Sequence, residues 1–229
     1  MFHLILVEAA LETVPQSIIG HPSVRRNAKR KGKKPEETLL DRSLHHRAMG
    51  GLPENHKRGR PDIVHICLLE ALGSPINHWG GLKVWLHTYQ GDCVEIAPET
   101  RLPRDCNRFN SLMEQLFTKG RVPPSGEKTL MTVRKTSLAD LMERIEPTHT
   151  VSLTSHGEPS DLETLCGRLS KEDRPAVFIG AFPHGSMKDG TLSLADEVLS
   201  IHPEPLEAWV VTSRLIYEYE KAYGQGGPP

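Results

Sequence analysis

HTVSLTSHGEPSDLETLCGRLSKEDRPAVFIGAFPHGSMKDGTLSLADEVLSIHPEPLEAW, residues 149–209, decides the fold class. Apolar runs at 149–154, 175–181 and 197–201 have the length of buried strands. A helix-spaced segment at 160–169 separates the first two, another at 137–146 precedes them, and a long one at 206–223 follows the third. Strands alternating with helices predict an α/β fold, a parallel sheet with helices packed on both faces. Each of the three strands runs into a loop of Gly, Pro, His or Ser. In an open parallel sheet such loops gather at the carboxyl ends of the strands, where ligands bind. Gly180 and Gly185 suit a close backbone approach or a positive φ. A single glycine is more often a turn, but three similar junctions together point to a site. Neither G-x-G-x-x-G nor the P-loop string is present, which argues against a dinucleotide or nucleoside triphosphate.

Working outward, Phe2–Leu11 reads as a strand buried on both faces that runs into a short helix near 9–13. Its apolar run is broken by His3 and Glu8, is too short to span a bilayer, and lacks the basic start and cleavage site of a signal peptide. ETLLDRSLHHRAM (37–49) has helical spacing and stops at Gly50-Gly51. RGRPDIVHICLLEALGSP (58–75) is a clearer helix, with Pro61 and Asp62 in its first turn and Gly73 and Pro75 at its end. LKVWLHT and the stretch 93–96 form a hairpin about Gln90-Gly91-Asp92. A third helix ends at Gly120, the Pro-rich stretch 121–128 is a surface excursion, and the tail 224–229 reads as frayed.

The 229 residues are 37% hydrophobic and 25% charged, a soluble globular composition. Four cysteines without a C-x-x-C pair suggest neither a disulfide framework nor a zinc ribbon, and fit a reduced, cytoplasmic protein. None of the twelve histidines has a metal-binding spacing, so no metal is expected. Nucleophilic catalysis lacks support too, since no G-x-S-x-G is present. The net charge of −1 conceals an asymmetry: residues 21–60 carry +8 and the remainder −9. Arg25 to Lys34 holds seven basic residues and no acid. With Gly and Pro at 20, 22, 32 and 35, the segment 21–36 reads as a basic loop or flexible arm, either a solvated face or a footprint for a polyanion. A second basic feature is the comb Arg101, Arg104 and Arg108 in RLPRDCNRF, preceded by Arg58 and Arg60. Its forks suit phosphates and bases. The plainer alternative is surface ion pairing with Glu99 and Asp105.

LVEAALETVP, LLDRSLHHRAM, RGRPDIVHICLLEALGSPIN, LHT at 86–88, PETRLPRDCNRFNSLMEQL, IGAFPHG and LSIHPEPLEAW, in that order, resemble the signature blocks of one family. It is the ribosome-biogenesis methyltransferases specific for N1 of a pseudouridine in small-subunit ribosomal RNA, of the SPOUT class, in their compact archaeal form. RGRPDI and RLPR-x-x-x-R are the most specific of these strings, and the resemblance spans 2–223, so one domain is expected. It implies an α/β fold with a C-terminal trefoil knot, a homodimer, and S-adenosylmethionine held by the knot loops. Small-subunit ribosomal RNA is the implied partner, with neither DNA nor a membrane. By motif match the cofactor-lining positions are Thr154, Gly180, Gly185, Leu199, Ser200, Ile201, His202, Pro203, Glu204 and Leu206. The RNA-contacting set is Arg60, Asp62, Arg101, Arg104 and Arg108. Asp62 is the candidate catalytic carboxylate, as a buttress that aims Arg60 or as the base itself. One departure stands out: Ala181 occupies the second position of an expected Gly-Gly, and its methyl is expected to tighten the cofactor pocket. Two rival classes remain: an RNA-binding assembly factor with little or no methyl transfer, and a SPOUT enzyme acting on transfer RNA.

Overall fold

A computed structural model describes residues 1–224. At its centre lies β1 (Phe2–Ala9), every residue of which is buried. The alternation of a strand sends Phe2, Leu4 and Leu6 to one face of the sheet, and Ile5 and Val7 to the other. Its neighbours are β2 (Leu82–Thr88) and β7 (Pro175–Gly180), both parallel to it. Beyond β7 come β6 (His149–Pro159) and the edge strand β8 (Glu197–Ser200), again parallel. On the far side of β2 the direction changes: β3 (Asp92–Ile96), β5 (Met131–Lys135) and β4 (Arg121–Val122) run antiparallel. The eight-stranded sheet, in the order β4-β5-β3-β2-β1-β7-β6-β8, is therefore mixed, with the expected parallel half and an antiparallel extension. The β2–β3 hairpin falls where the Gln90–Asp92 turn puts it. The excursion at 121–128 begins with β4, and β5 follows where the sequence pattern shows no strand.

Helices cover both faces. The larger core packs against α3 (Pro61–Gly73), α5 (Cys106–Lys119), α7 (Leu162–Leu169) and α9 (Ala208–Gly224). The opposite face is closed by α6 (Leu138–Ile145), whose Leu138, Leu141, Met142 and Ile145 meet Trp85 and Phe178. Two short helices, α4 (Pro75–His78) and α8 (Asp189–Leu192), complete the connections. On α9, Leu215, Ile216 and Tyr219 are buried within the chain, and Tyr219 stacks on Phe2 at 4.3 Å between ring centroids.

The structure corrects two local expectations. No helix forms at 9–13: Glu8 turns the chain in the left-handed region (φ 49°), and Thr13 bridges to Leu39 in a short extended pair. That pairing occupies the start of the segment expected to be helical at 37–49, leaving only α2 (Arg42–His45) and a 3-10 turn, Met49–Gly51. The basic segment is a helix and not a loop or arm: α1 (Pro22–Lys31) starts on Pro22 and is closed by Gly32 at φ 63°. Of the tail expected to be frayed, Gly224 belongs to α9, and residues 225–229 lie outside the described residues. No described helix is long and apolar enough to cross a membrane, and no described cluster of His, Cys, Asp or Glu could hold a metal ion.

Candidate functional site

A cleft of about 460 Å³ opens at the carboxyl ends of β6, β7 and β8, within the size range of small-molecule sites. Its wall is built from the three junctions that carry the glycine, proline and histidine loops. Thr154, Gly180, Gly185, Ser200, Ile201, His202, Glu204 and Leu206 line it. Leu199 and Pro203 do not: Leu199 is buried behind the wall and Pro203 is exposed to solvent. Ile201, Leu206 and Val211 make the cleft partly apolar, while Thr154 and Ser200 supply hydroxyls. The loop after β8 is tied internally, with Ser200 Oγ donating to the His202 carbonyl at 2.8 Å and the Glu204 N–H donating to His202 Nδ1 at 3.1 Å.

Three structural devices shape this cleft. The first is a bulge: Leu153 and Glu158 both register against Leu199, so the residues between them swing out to form one wall. Gly157 makes this possible, because a Cβ there would collide with the Leu199 carbonyl carbon and lie 2.6 Å from the Leu199 nitrogen. The second is the approach of Gly180 to Phe182, whose ring edge would meet an added Cβ at 2.7 Å. Gly180 is thus required by its own loop. Ala181, in contrast, is fully buried in the core and its methyl does not reach the cleft, which corrects the expected tightening.

The third device lies beneath the loop. Glu8, in its left-handed turn, accepts from Lys57 Nζ at 3.0 Å, the Lys188 N–H at 2.7 Å and Thr191 Oγ1 at 2.9 Å. The Lys57 ammonium sits 4.9 Å from the Phe182 ring centroid. Gly185 (φ 99°) packs so closely on His56 and Lys57 that a Cβ would approach them to 3.1–3.2 Å. The segment that leads into RGRPD is therefore packed directly against the cleft loop. No motif marks Lys57 or Gly157, and Glu8 and Phe182 fall within LVEAALETVP and IGAFPHG without those strings giving them a role, because each acts through a partner that no local pattern specifies.

Arg60 caps the start of α3 and forks onto Asp62, with Nε to Oδ1 at 2.8 Å and Nη2 to Oδ2 at 2.7 Å. That hydrogen bond is the main cause holding the Arg60 guanidinium above its ordinary pKa. Arg58, grouped with Arg60 by sequence, has a different fate: it is buried and grips Glu12 through two bonds of 2.7 Å. The comb follows on the loop before α5. His65 of α3 holds that loop, bonding the Pro103 carbonyl at 2.7 Å and stacking on Phe109 at 4.3 Å. Burial first, and then the charges of Asp62, Asp41 and Asp105, push the Cys106 thiol up, so the two helix starts share one neighbourhood. Arg101, Arg104 and Arg108 are all exposed, and none has an ion-pair partner among the described residues. The surface pairs of the plainer alternative do not form. Glu99 is taken by Lys128, and Asp105 caps α5 by accepting the Arg108 N–H.

A family model for "EMG1/NEP1 methyltransferase" matches residues 4–220. The chain is 46% identical to the ribosomal RNA small subunit methyltransferase Nep1 of Staphylothermus marinus, covering 96% of this chain and 95% of that one. It is 45% identical to the protein of the same description from Thermococcus kodakarensis, covering 98% and 100%. The crystal structure of Archaeoglobus fulgidus Nep1 bound to S-adenosylhomocysteine superposes with a TM-score of 0.85 at 40% identity, covering 96% of this chain and 97% of that chain.

Proposed function

Since the chain belongs to the EMG1/NEP1 methyltransferase family, we propose that it transfers a methyl group from S-adenosylmethionine to N1 of a pseudouridine in small-subunit ribosomal RNA. The observation that carries this reading is the closeness of Arg60 to Glu207, which lines the strand-end cleft, with the exposed comb sharing the neighbourhood of Asp62 around Cys106. The cleft residues fit the cofactor: apolar Ile201, Leu206 and Val211 suit a purine and a thioether chain, and Thr154, Ser200 and the looped backbone suit its polar groups. When bound, the cofactor supplies an activated methyl on a sulfonium, so the protein's task is alignment and exclusion of water. Phe182 and Leu206 wall off the site, and the arginines hold the RNA backbone while the target base leaves its stack. Methyl transfer would form the N1–CH3 bond as the S–CH3 bond breaks, with the N1 proton passing to solvent and S-adenosylhomocysteine left as the product. Asp62 acts mainly by fixing Arg60. In this reading the C-terminal part of the chain forms the trefoil knot, and the chain works as a cytoplasmic homodimer. Light scattering that finds only monomer at micromolar concentration overturns the dimer.

The deciding experiment incubates small-subunit ribosomal RNA with the protein and methyl-labelled cofactor, then maps the label by mass. Label at one pseudouridine, lost when that residue is replaced by uridine, supports the reading. RNA binding without label supports an assembly factor instead.

Two further results are expected. Gly180→Val drives the Phe182 ring from its place beside Lys57, so S-adenosylmethionine should bind at least tenfold more weakly while circular dichroism remains native. Unchanged affinity removes Gly180 from the site. Changing Arg101, Arg104 and Arg108 together to Ala should weaken RNA binding and leave cofactor affinity intact. The log–log salt slope should flatten by about 0.7 for each single-strand phosphate that is no longer neutralised. Wild-type RNA affinity in that variant excludes the comb from the interface.

A further inference from the structure

The basic helix α1 has no part in the site described above, yet its charges are arranged and not merely abundant. At 100° per residue, Arg25, Lys29, Arg26 and Arg30 fall on one arc of about 140°. All four are exposed. Val24, Asn27 and Ala28 occupy the opposite side and are buried. None of the four exposed cations, nor exposed Lys34 just beyond the helix, has an ion-pair partner among the described residues. The nearest acids along the chain, Glu36 and Glu37, lie past the helix, where Glu37 accepts the Lys34 N–H.

The helix is also held rigidly. Lys31 and Lys33 reach the fully buried carboxylate of Glu114 on α5, at 2.6 and 2.8 Å, and the Leu39 N–H joins them at 3.1 Å. Burial works against ionisation of Glu114, but these hydrogen bonds outweigh it and hold the carboxyl below its ordinary pKa. On the other side, Asn27 bonds His45 of α2 at 3.2 Å. Two of the basic residues thus serve as anchors, and the others are presented on a fixed surface. Glu114 lies six residues along α5 from Arg108, about 9 Å at 1.5 Å per residue, so α5 ties the anchor of the basic helix to the last arginine of the comb.

We propose that α1 is a second RNA-binding face, which holds the phosphate backbone of a duplex stem flanking the target pseudouridine; this rests on the function proposed above. The chemistry selects a backbone and not bases. PSVRRNAKRK contains no aromatic residue on which an unpaired base could stack. Duplex RNA is recognised chiefly through its phosphates and shape, which a rigid row of cations matches.

The test uses the full chain with Arg25, Arg26, Lys29 and Arg30 all changed to Ala, a substitution that favours the helix. Two probes are compared: a minimal hairpin that presents the target pseudouridine in its loop, and a longer small-subunit fragment that extends the stem. The variant should bind the longer fragment at least tenfold more weakly, with a smaller salt slope. Affinities for the minimal hairpin and for S-adenosylhomocysteine should match wild type, as should the rate on the minimal hairpin. Re-pairing the stem with a scrambled sequence should leave wild-type affinity unchanged. Equal affinity of variant and wild type for the longer fragment overturns the proposal, as does an equal loss on both RNAs. Failure of the functional reading itself looks different: wild-type protein would then methylate neither RNA.

Discussion

Gly157→Ala is expected to abolish useful cofactor binding while leaving a folded protein, although Gly157 has an ordinary φ and belongs to no motif. The added carbon would collide with the carbonyl carbon of Leu199 and sit 2.6 Å from its nitrogen and 2.7 Å from its Cα. Every atom it meets is backbone, so no side chain can swing aside. β6 and β8 must separate at the bulge that forms one cleft wall, and the loop 200–206 moves with β8. Because β8 is the sheet edge, the disturbance need not reach β1 or β7. Overpacking of this kind costs about 2 kcal/mol, a fall in Tm of roughly 6 °C for a chain of this size. The effect on S-adenosylhomocysteine should be larger, a loss of at least a hundredfold, about 2.7 kcal/mol, by calorimetry. If affinity is unchanged in a variant whose Tm has fallen, the bulge is structural only and does not shape the site.

Apart from the short α8, the strands and helices from 137 onward are legible in the sequence because their apolar runs are continuous and punctuated by Gly and Pro. The three strand-end loops are legible for the same reason. What stays hidden depends on partners that the local pattern does not specify. Gly180 and Gly185 stand out as places of close approach, but the atoms that approach are those of Phe182, His56 and Lys57, not only a ligand. Gly157 does not stand out, because nothing local says that two residues of one strand will face Leu199. Arg58 and Arg60 look equivalent in RGRPD. The fold buries the first against Glu12 and leaves the second at a helix start.

The basic segment departs from its sequence pattern for an instructive reason. Pro22 and Gly32 resemble loop formers, yet one is at the first helical turn and the other closes the helix in the left-handed region. Val24 and Ala28, four residues apart, supply a helical stripe too sparse to stand out among seven cations. A buried acid 83 residues from Lys31 makes the helix stable in place, and sequence pattern alone cannot reveal such a pairing.

Changing Arg60 to Ala and Asp62 to Asn, singly and together, separates the two roles open to Asp62. The Arg60 and Asp62 side chains are 34% and 41% exposed, so their ion pair contributes little to folding, about 0–1 kcal/mol. Its value lies in orientation. Both carboxylate oxygens accept hydrogens from Arg60, which fixes the guanidinium plane before RNA arrives and reduces the side-chain entropy lost on binding. Each single change should therefore weaken RNA binding about tenfold, and the double variant should be little worse than either, since one unit is removed in every case. Single-turnover methylation at saturating RNA should fall far less. A base behaves otherwise: its removal slows the chemical step and spares affinity. The occupied oxygens favour the first outcome, because a base must turn a free lone pair toward N1 while Arg60 holds the carboxylate from the side. If Asp62→Asn binds RNA as wild type does but turns over a hundredfold more slowly, the proton goes to Asp62 and the orienting role is refuted.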